Sequence, residues 1–319
     1  MTSPLRSARC LPGRLACALA LALALTAAGM HAAHAQKPFK TPEAAMNAFG
    51  EAVATSDDDA MKVLLGARFH DLIPPVGADI RYRFLEAWRT SHAVQPEGDS
   101  RARIAVGNDG WTLPVPLVKT SKGWQFDTRA GVEETRIRRI GRNELAVIQA
   151  MLAVYDAQRE YARTDHDGDG LLAYAGKLAS TPGKQDGLYW PTSDGAPPSP
   201  LGAAFLTAGQ RNPGLGGYYG YHYKLLTAQG PNAPGGAYNY VVNGKLFGGF
   251  AVLAWPVRYG DTGVMSFMVS HDGQVYERDL GTDSAGKAAA AAGVISAAMI
   301  FVARSRFTKA SSSAAGRRA

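Results

Sequence analysis

The stretch FGGFAVLAWPVRYGDTGVMSFMVSHDGQVYERD, residues 247–279, decides the fold of the second half of the chain. Its runs of β-branched and aromatic residues predict strands over Phe247–Tyr259, Val264–Ser270 and Gln274–Asp279. His271-Asp272-Gly273 separates the last two runs and is typical of a hairpin turn. We therefore expect an antiparallel sheet here.

A long helix is predicted upstream of these strands. Asn143 is expected to cap it, and the helix is expected to continue to Arg163. Its apolar residues keep the three-and-four spacing of one helix face, namely Leu145, Ile148, Leu152 and Tyr155. With a further strand over Tyr219–Leu226, the second half is predicted to be α+β, a long helix packed on a sheet of about four antiparallel strands.

Residues 181–240, between this helix and most of the sheet, hold 12 glycines and 8 prolines. The same stretch also holds nine aromatic residues, which disordered segments rarely contain, so it predicts packed loops. Alternation places Tyr219, Tyr221 and Tyr223 on one strand face, where they would stack on sugar rings or cover the helix. The candidate binding residues are thus aromatic: Tyr189, Trp190, Tyr219, Tyr221 and Tyr223.

The sequence DHDGDG at residues 165–170 has the spacing of a calcium-binding loop. Asp165, Asp167 and Asp169 occupy positions 1, 3 and 5 with glycine at 6, and the carbonyl of Leu171 would be the ligand at position 7. Position 12 is Gly176 instead of the usual bidentate glutamate. The two interpretations are a partial Ca²⁺ site and a solvated acidic turn that follows the helix.

The sequence of the first half of the chain, after residue 35, predicts helices followed by an antiparallel meander. Its strands are expected over Arg103–Val106, Trp111–Val118 and Trp124–Asp127, with turns between them. This order, with a final Trp-x-Phe-Asp strand, resembles the nuclear-transport-factor-like fold over residues 40–130. The predicted organisation is a first domain over 36–135, a second over 141–283 and an alanine-rich basic tail over 284–319.

Residues 1–35 have the features of a signal peptide. Arg6, Arg9 and Arg14 precede an apolar run from Leu15 to Ala28, and Ala33-His34-Ala35 is a signal-peptidase pattern. Cleavage after Ala35 would leave a periplasmic or secreted protein. It would also remove both cysteines, which excludes disulfides, thiol nucleophiles and cysteine-bound metals from the mature chain.

The net charge of +7 comes from the two ends of the chain. Residues 36–302 hold 26 basic and 27 acidic side chains, which argues against a nucleic-acid-binding protein. Membrane contact is expected only through the tail, where Ala288–Ala303 is apolar and basic residues follow. The alternative for this tail is a frayed extension without a role.

Three motifs carry a resemblance to a known bacterial family. They are DGDG at 167–170, GKQDGLYWP at 183–191 and WPVRYGDTGVMSF at 255–267, and the likeness extends from about Lys37 to Asp283. The chain resembles the exported family known as domain of unknown function 2950, and its second half is similar to pilin-like globular domains. The resemblance implies a secreted or periplasmic protein and no particular reaction. The segment 284–319 differs from the family's usual tail.

No short catalytic motif is convincing in this sequence. Residues 281–288 have a phosphate-loop-like glycine and lysine spacing but lack its hydroxyl residue, and the five histidines of the mature chain are scattered. The prediction is therefore an exported cell-envelope protein with a non-catalytic binding or assembly role, with an envelope protein or a glycan as partner. The alternative is a secreted hydrolase whose site is assembled from distant residues.

Overall fold

The predicted α+β fold is confirmed in a computed structural model, which combines helices with antiparallel sheets. The structure describes residues 36–192, 197–203, 205, 217–231, 233 and 235–291, and the backbone of 302–303. The expected signal peptide at 1–35 and residues 292–301 and 304–319 of the expected tail lie outside the described residues. Within the described part, no helix has the length and apolar character that crossing a membrane requires.

The chain divides into two compact units, Met1–Thr135 and Arg136–Ala319. The helices and strands of the N-terminal unit are α1 (Pro42–Thr55), α2 (Asp58–Leu65), a 3₁₀ turn (Phe69–Asp71), α3 (Ala78–Thr90), β1 (His92–Pro96), β2 (Arg101–Val106), β3 (Leu117–Thr120) and β4 (Gly123–Phe126). Helix α1 is capped by Thr41, whose hydroxyl accepts a hydrogen bond from the amide of Ala44, and Pro42 is the first helical residue.

The four strands of this unit form an antiparallel sheet in the order β1-β2-β3-β4. Its core joins Phe49 of α1 to Ile104, Leu117 and Phe126 of the sheet, all of them almost fully buried. The prediction of a strand over Trp111–Val118 is wrong for its first residues. In that part an isolated bridge between Thr112 and Ala105 takes the place of a regular strand. Regular pairing there begins at Leu117, opposite Phe126.

Helix α4 extends over Thr128–Tyr161 and its residues from Arg136 onward belong to the C-terminal unit. The prediction that Asn143 caps this helix is wrong. Asp127 lies at the start instead, where its Oδ1 accepts a hydrogen bond from the amide of Ala130. Asn143 lies inside the helix.

The buried face of α4 also differs from the prediction. Leu145 is 53% exposed, and Ile148, Leu152 and Tyr155 are only partly buried. Each buried residue lies one position before the corresponding predicted residue in the sequence. The buried stripe is therefore rotated by about 100° around the helix axis from the predicted face. Its members are Val147, Met151, Val154, Gln158 and Tyr161.

The other elements of the C-terminal unit are β5 (Tyr221–Leu226), β6 (Ala228–Gln229), β7 (Tyr238–Asn239), β8 (Val241–Val242), β9 (Lys245–Leu246), β10 (Ala251–Pro256), β11 (Met265–Ser270), β12 (Val275–Asp279), α5 (Ser284–Ala290) and β13 (Val302–Ala303). The main sheet is antiparallel in the order β13-β12-β11-β10-β5, so the predicted strands are present with a two-residue fifth strand added. One face of this sheet packs against the buried stripe of α4 around Phe250, Val252 and Phe267.

The start of the predicted tail is part of this unit. Residues 284–290 form α5, and Ala288 and Ala291 are buried beside Leu253 and Leu280. Lys224 of β5 donates from Nζ to the carbonyl oxygen of Ala291, at 2.9 Å, and so satisfies a carbonyl at the end of this helix.

Candidate ligand-binding cleft

A cleft of about 240 Å³ opens in the C-terminal unit where α4 ends. It is lined by the loop that follows α4 and by the β8–β9 hairpin. Both charged and aromatic side chains face it, namely Tyr161, His166, Asp167, Lys177, Asp186 and Lys245. A concave surface with a few convergent polar groups is the usual form of a small-molecule site.

A buried amide fixes the loop that forms one side of the cleft. Gln158 of α4 is fully buried, and its Oε1 accepts a hydrogen bond from the amide of Ala175 at 2.9 Å. Its Nε2 donates to the carbonyl oxygen of the same residue at 3.0 Å. Because a buried backbone group without a partner is costly, this pair of bonds holds the loop in one position.

The predicted calcium loop brings its three carboxylates together. One oxygen of each of Asp165, Asp167 and Asp169 lies within 4.8 Å of the others. Asp165 accepts hydrogen bonds from backbone amides, that of Gly170 foremost and those of Gly168 and Asp167, and these bonds lower the pKa of its carboxyl group to about 2.

A lysine ammonium supplies positive charge to this loop. Lys245 donates from Nζ to Asp167 Oδ1 at 2.9 Å and also to Asp169 Oδ2. These hydrogen bonds, with Asp167 first, raise the pKa of Lys245 and lower the pKa of Asp169. Two of the three predicted calcium ligands thus share one lysine ammonium as a hydrogen-bond partner, and Ca²⁺ would have to displace it.

The remaining predicted ligand and the missing one lie beside the same cleft. Leu171 is 51% exposed and its amide donates to Asp169 Oδ1 at 3.0 Å. Gly176, at the position where a calcium loop carries its glutamate, lines the cleft. The donor set therefore fits a Ca²⁺ site only in part.

A second lysine–aspartate pair lies on the other part of the loop. Lys177 donates from Nζ to Asp186 Oδ2 and to Thr181 Oγ1, both at 2.7 Å. Asp186 also accepts from the amide and the hydroxyl of Thr181. The lysine, followed by the Thr181 donors, holds the pKa of the Asp186 carboxyl well below its usual range.

Tyr161 and His166 stack at the base of the cleft, with ring centroids 3.9 Å apart. The Tyr161 hydroxyl donates to the carbonyl oxygen of Gln185 at 2.6 Å, and burial raises its pKa to about 12. The ring nitrogens of His166 lie 3.1 Å from the Tyr161 carbonyl oxygen and 3.3 Å from Gln185 Oε1. These contacts join the end of α4 to the GKQDGLYWP segment.

The aromatic residues predicted to bind a ligand are spread over several environments. Trp190 is buried in the core beside Tyr161, and Tyr189 is partly buried against the same core. Tyr221 is fully buried, and its hydroxyl donates to the carbonyl oxygen of Met265 at 2.9 Å. Tyr223 packs against that core as well.

Tyr219 does not belong to the strand in which it was predicted. It lies in the turn before β5 with a φ of 52°, in the left-handed region that non-glycine residues rarely adopt, and it is 48% exposed. The structure therefore does not place Tyr219 on one strand face with Tyr221 and Tyr223.

Two of the three motifs that carry the family resemblance contribute residues to the cleft. The third motif forms a turn that is hydrogen-bonded to side chains of α4. Asp167 of DGDG and Asp186 of GKQDGLYWP both line the cleft. In the third motif, the amides of Val264 and Met265 donate to Glu144 Oε1 at 3.0 and 2.9 Å. Asn143 donates from Nδ2 to the carbonyl oxygen of Thr262, so this motif has a structural role in the described part of the chain.

Three residues that line the cleft were not indicated as site residues by the sequence, namely Tyr161, Lys177 and Lys245. Asn243-Gly244 is a signal for the β8–β9 turn, since both residues have positive φ, but it does not reveal the partner of the lysine that follows. Within the described residues, none of the five histidines hydrogen-bonds a carboxylate.

The chain matches the model of the family described as Protein of unknown function (DUF2950) over residues 36–293. The match covers most of the chain, so the protein belongs to this family. No curated protein and no solved structure matches the chain.

Proposed function

We propose that this protein is an exported cell-envelope protein whose C-terminal unit binds a small polar ligand in the cleft and does not transform it. The observation that carries the proposal is the convergence of Asp167, Asp186 and Lys245 from three separate segments on one cavity. Ligand sites are typically concave and place a few polar groups around a mostly preformed space.

The cleft is held in shape before any ligand arrives. Gln158 fixes the backbone of Ala175, and the Tyr161 hydroxyl fixes the carbonyl of Gln185. Lys245 fastens the hairpin to the acidic loop. A site fixed in this way loses little conformational entropy on binding, which favours affinity for a small ligand.

Binding is tested with a variant that fills the cleft. Ala173→Phe places a ring among the lining residues, and Ala237→Phe is the control at an exposed loop position outside the lining. Native mass spectrometry of protein incubated with the small-molecule fraction of envelope extracts should show a bound species on the wild type and on Ala237→Phe but not on Ala173→Phe. The absence of any bound species from the wild type would contradict the proposal, and chemical conversion of that species would favour the hydrolase.

The proposal of export rests on residues 1–35, and the family match begins directly after them at residue 36. Mass spectrometry of the native protein from a cell-envelope fraction should find Gln36 at the N-terminus, free or cyclised. A chain that retains Met1 and fractionates with the cytoplasm would contradict export.

A further inference from the structure

We infer that Tyr218 and Tyr219 form a second binding site, an aromatic platform that stacks against the C–H face of a sugar ring. The site lies in the turn before β5 and shares no residue with the cleft, so it does not depend on the binding role proposed above. The inference is carried by the backbone conformation of Tyr219, the exposure of its side chain and the contact between the two rings.

Tyr219 occupies the first central position of a two-residue hairpin turn. The amide of Tyr218 donates to the carbonyl oxygen of Tyr221 at 2.9 Å, and the amide of Tyr221 donates to the carbonyl oxygen of Tyr218 at 3.1 Å. Between them, Tyr219 and Gly220 have φ values of 52° and 74°. A type I′ turn requires positive φ at both central residues, and asparagine, aspartate or glycine is the usual first one.

The same protein has the usual residue pair in another turn of this kind. Asn243 and Gly244 join β8 to β9, next to the Val242–Lys245 pair, with φ values of 50° and 81°. The central residues of the two turns thus have similar φ values, but Tyr219 stands where the other turn has asparagine. The left-handed region is unfavourable for tyrosine, because its Cβ crowds the backbone and it lacks the short polar side chain that helps asparagine there.

The conformation of Tyr219 therefore costs stability that asparagine would not cost. Backbone strain of this kind persists where the surrounding structure fixes the chain, and it is concentrated at functional sites. Gly220 fixes this turn by close packing, because an added Cβ would lie 2.9 Å from the Cβ of Thr262 and 3.0 Å from Nδ2 of Asn143. What tyrosine supplies at this position, and asparagine does not, is an exposed aromatic ring.

The two tyrosine rings form a supported platform. Tyr219 is 48% exposed, and its ring lies against that of Tyr218 with centroids 4.3 Å apart and planes tilted by 54°. Behind Tyr218 lie the rings of Phe205 and Tyr223, with centroids at 5.0 and 6.4 Å. The Tyr223 hydroxyl also donates to the carbonyl oxygen of Tyr218 at 3.3 Å. The platform is thus held in position before a ligand binds, which lowers the entropic cost of binding.

These features favour a sugar ring over a peptide as the ligand. The face of an aromatic ring is negative and attracts polarised C–H bonds, which a pyranose presents on one face, and the phenol hydroxyl can exchange hydrogen bonds with sugar hydroxyls. Proline-rich peptides dock in grooves between aromatic side chains, whereas the rings of Tyr218 and Tyr219 touch and leave no groove between them. The backbone groups of Tyr218 and Tyr221 bond each other, so they are not available to an added strand.

The test titrates the full chain with cellohexaose and chitohexaose, whose β-1,4-linked pyranoses present flat C–H faces, and follows binding by nuclear magnetic resonance. We expect at least one of these oligosaccharides to bind the wild type. Tyr219→Asn should weaken that binding at least about tenfold, because the stacking surface is lost. The same substitution should raise the melting temperature by about 2–4 °C, because it relieves the strain in the turn.

Three further variants separate the ring from the turn. Tyr219→Phe keeps both the ring and the strain, so the affinity should stay within about threefold and the melting temperature should not rise. Tyr238→Asn is the matched control, because Tyr238 is 49% exposed but lies in β7 without a positive φ, and it should leave oligosaccharide binding unchanged. Asn243→Tyr is the reciprocal change and should lower the melting temperature by about 2–4 °C.

Four outcomes would overturn the inference. They are no binding of either oligosaccharide to the wild type, a loss of affinity in Tyr219→Asn smaller than about tenfold, a melting temperature of Tyr219→Asn no higher than that of the wild type, and tighter binding of a proline decapeptide than of the oligosaccharides. Ala173→Phe fills the cleft and should leave oligosaccharide binding intact. If Ala173→Phe abolishes that binding instead, the sugar binds in the cleft and the platform is not its site.

Discussion

Lys245 Nζ lies 2.9 Å from Asp167 Oδ1, and this contact fastens the β8–β9 hairpin to the loop that follows α4. The lysine side chain is 23% exposed and the Asp167 side chain is 59% exposed, so solvent screens this ion pair and its main role is to position the hairpin. The amide of Tyr174 donates to the carbonyl oxygen of Leu246 at 3.0 Å beside it and attaches the hairpin a second time. The hairpin and the loop therefore form one wall of the cleft.

Gln158 is expected to be the most costly single side chain to replace around the cleft. Gln158→Leu keeps the approximate volume but leaves the amide and carbonyl of Ala175 buried without partners. Each buried group costs about 1–3 kcal/mol, so the free energy of unfolding should fall by about 2–6 kcal/mol. Urea denaturation of the wild type and Gln158→Leu measures this loss of stability.

The control for this substitution is Gln95→Leu on an exposed position of β1, which should change stability by less than about 0.5 kcal/mol. Hydrogen exchange should also become faster at Ala175 in Gln158→Leu. Equal stability of Gln158→Leu and Gln95→Leu would show that the two hydrogen bonds of Gln158 to Ala175 do not stabilise the loop.

Asp186 is expected to make the C-terminal unit sensitive to acid. Its pKa is lowered in the folded state by Lys177 and the Thr181 donors, so the unfolded chain binds a proton first as the pH falls. The stabilisation is present above the unfolded pKa of about 4 and is lost below it as the pH approaches the folded pKa. Asp186→Asn should therefore reduce the loss of stability between about pH 5 and pH 3.

Urea midpoints of the wild type and Asp186→Asn across this range give the measurement. Asp109→Asn, in an exposed turn of the N-terminal unit, is the control and should leave the pH profile of the C-terminal unit unchanged. If the urea midpoints of the wild type and Asp186→Asn fall in parallel as the pH is lowered, Asp186 is not a source of the acid sensitivity.

The sheet of the C-terminal unit was predictable because its signals are local. Runs of β-branched residues and the turn at 271–273 depend on neighbours in sequence, and the strands begin within a few residues of the predicted positions. The start of α4 was not predictable in this way. The arginine-rich stretch before Asn143 has little apolar periodicity, yet α4 continues through it, and Arg139 bonds Asp261 of a distant turn.

The candidate site shows the same division between local and distant information. The spacing of Asp165, Asp167 and Asp169 predicted that their carboxylates lie close together, and they do. Lys245 is 78 residues away from Asp167, and a single lysine in a hairpin carries no sign of its partner. Tyr219 was misplaced because its left-handed turn conformation is set by tertiary contacts and overrides the alternation of the strand.

Glu144 is expected to hold the turn of the WPVRYGDTGVMSF motif. Its Oε1 accepts two backbone hydrogen bonds, from Val264 and Met265, and bonds to a charged group contribute about 1.5–3 kcal/mol each. Glu144→Ala should therefore lower the free energy of unfolding by about 2–3 kcal/mol after partial rehydration of the turn. Glu144→Gln keeps an acceptor oxygen and should recover about half of this loss.

Glu160→Ala, at an exposed position near the end of the same helix, is the control for Glu144. It should change stability by less than about 0.5 kcal/mol, because an acid near a helix C-terminus is not favoured by the dipole. A loss in Glu144→Ala no larger than in Glu160→Ala would show that these two bonds do not stabilise the turn.

Calcium binding by the acidic loop stays a prediction, and Lys245 now determines how it is tested. A loop without the glutamate at position 12 is expected to be weak, with a dissociation constant of the order of 10⁻⁴–10⁻³ M. In the wild type Ca²⁺ must first displace the ammonium from Asp167 and Asp169. In Lys245→Met the three carboxylates repel one another, and the cation relieves that repulsion. The rise in melting temperature with Ca²⁺ should therefore be larger in Lys245→Met than in the wild type.

At ten times its dissociation constant, Ca²⁺ would stabilise the folded state by about 1.4 kcal/mol. Thermal unfolding with increasing Ca²⁺ should show this shift, with a smaller one for Mg²⁺ because Mg²⁺ demands a stricter geometry and loses water reluctantly. Asp167→Ala should abolish the response in both backgrounds, since it removes the ligand at position 3. A flat titration to millimolar Ca²⁺ in Lys245→Met would identify the loop as a solvated acidic turn, because no competing ammonium would remain to explain the failure.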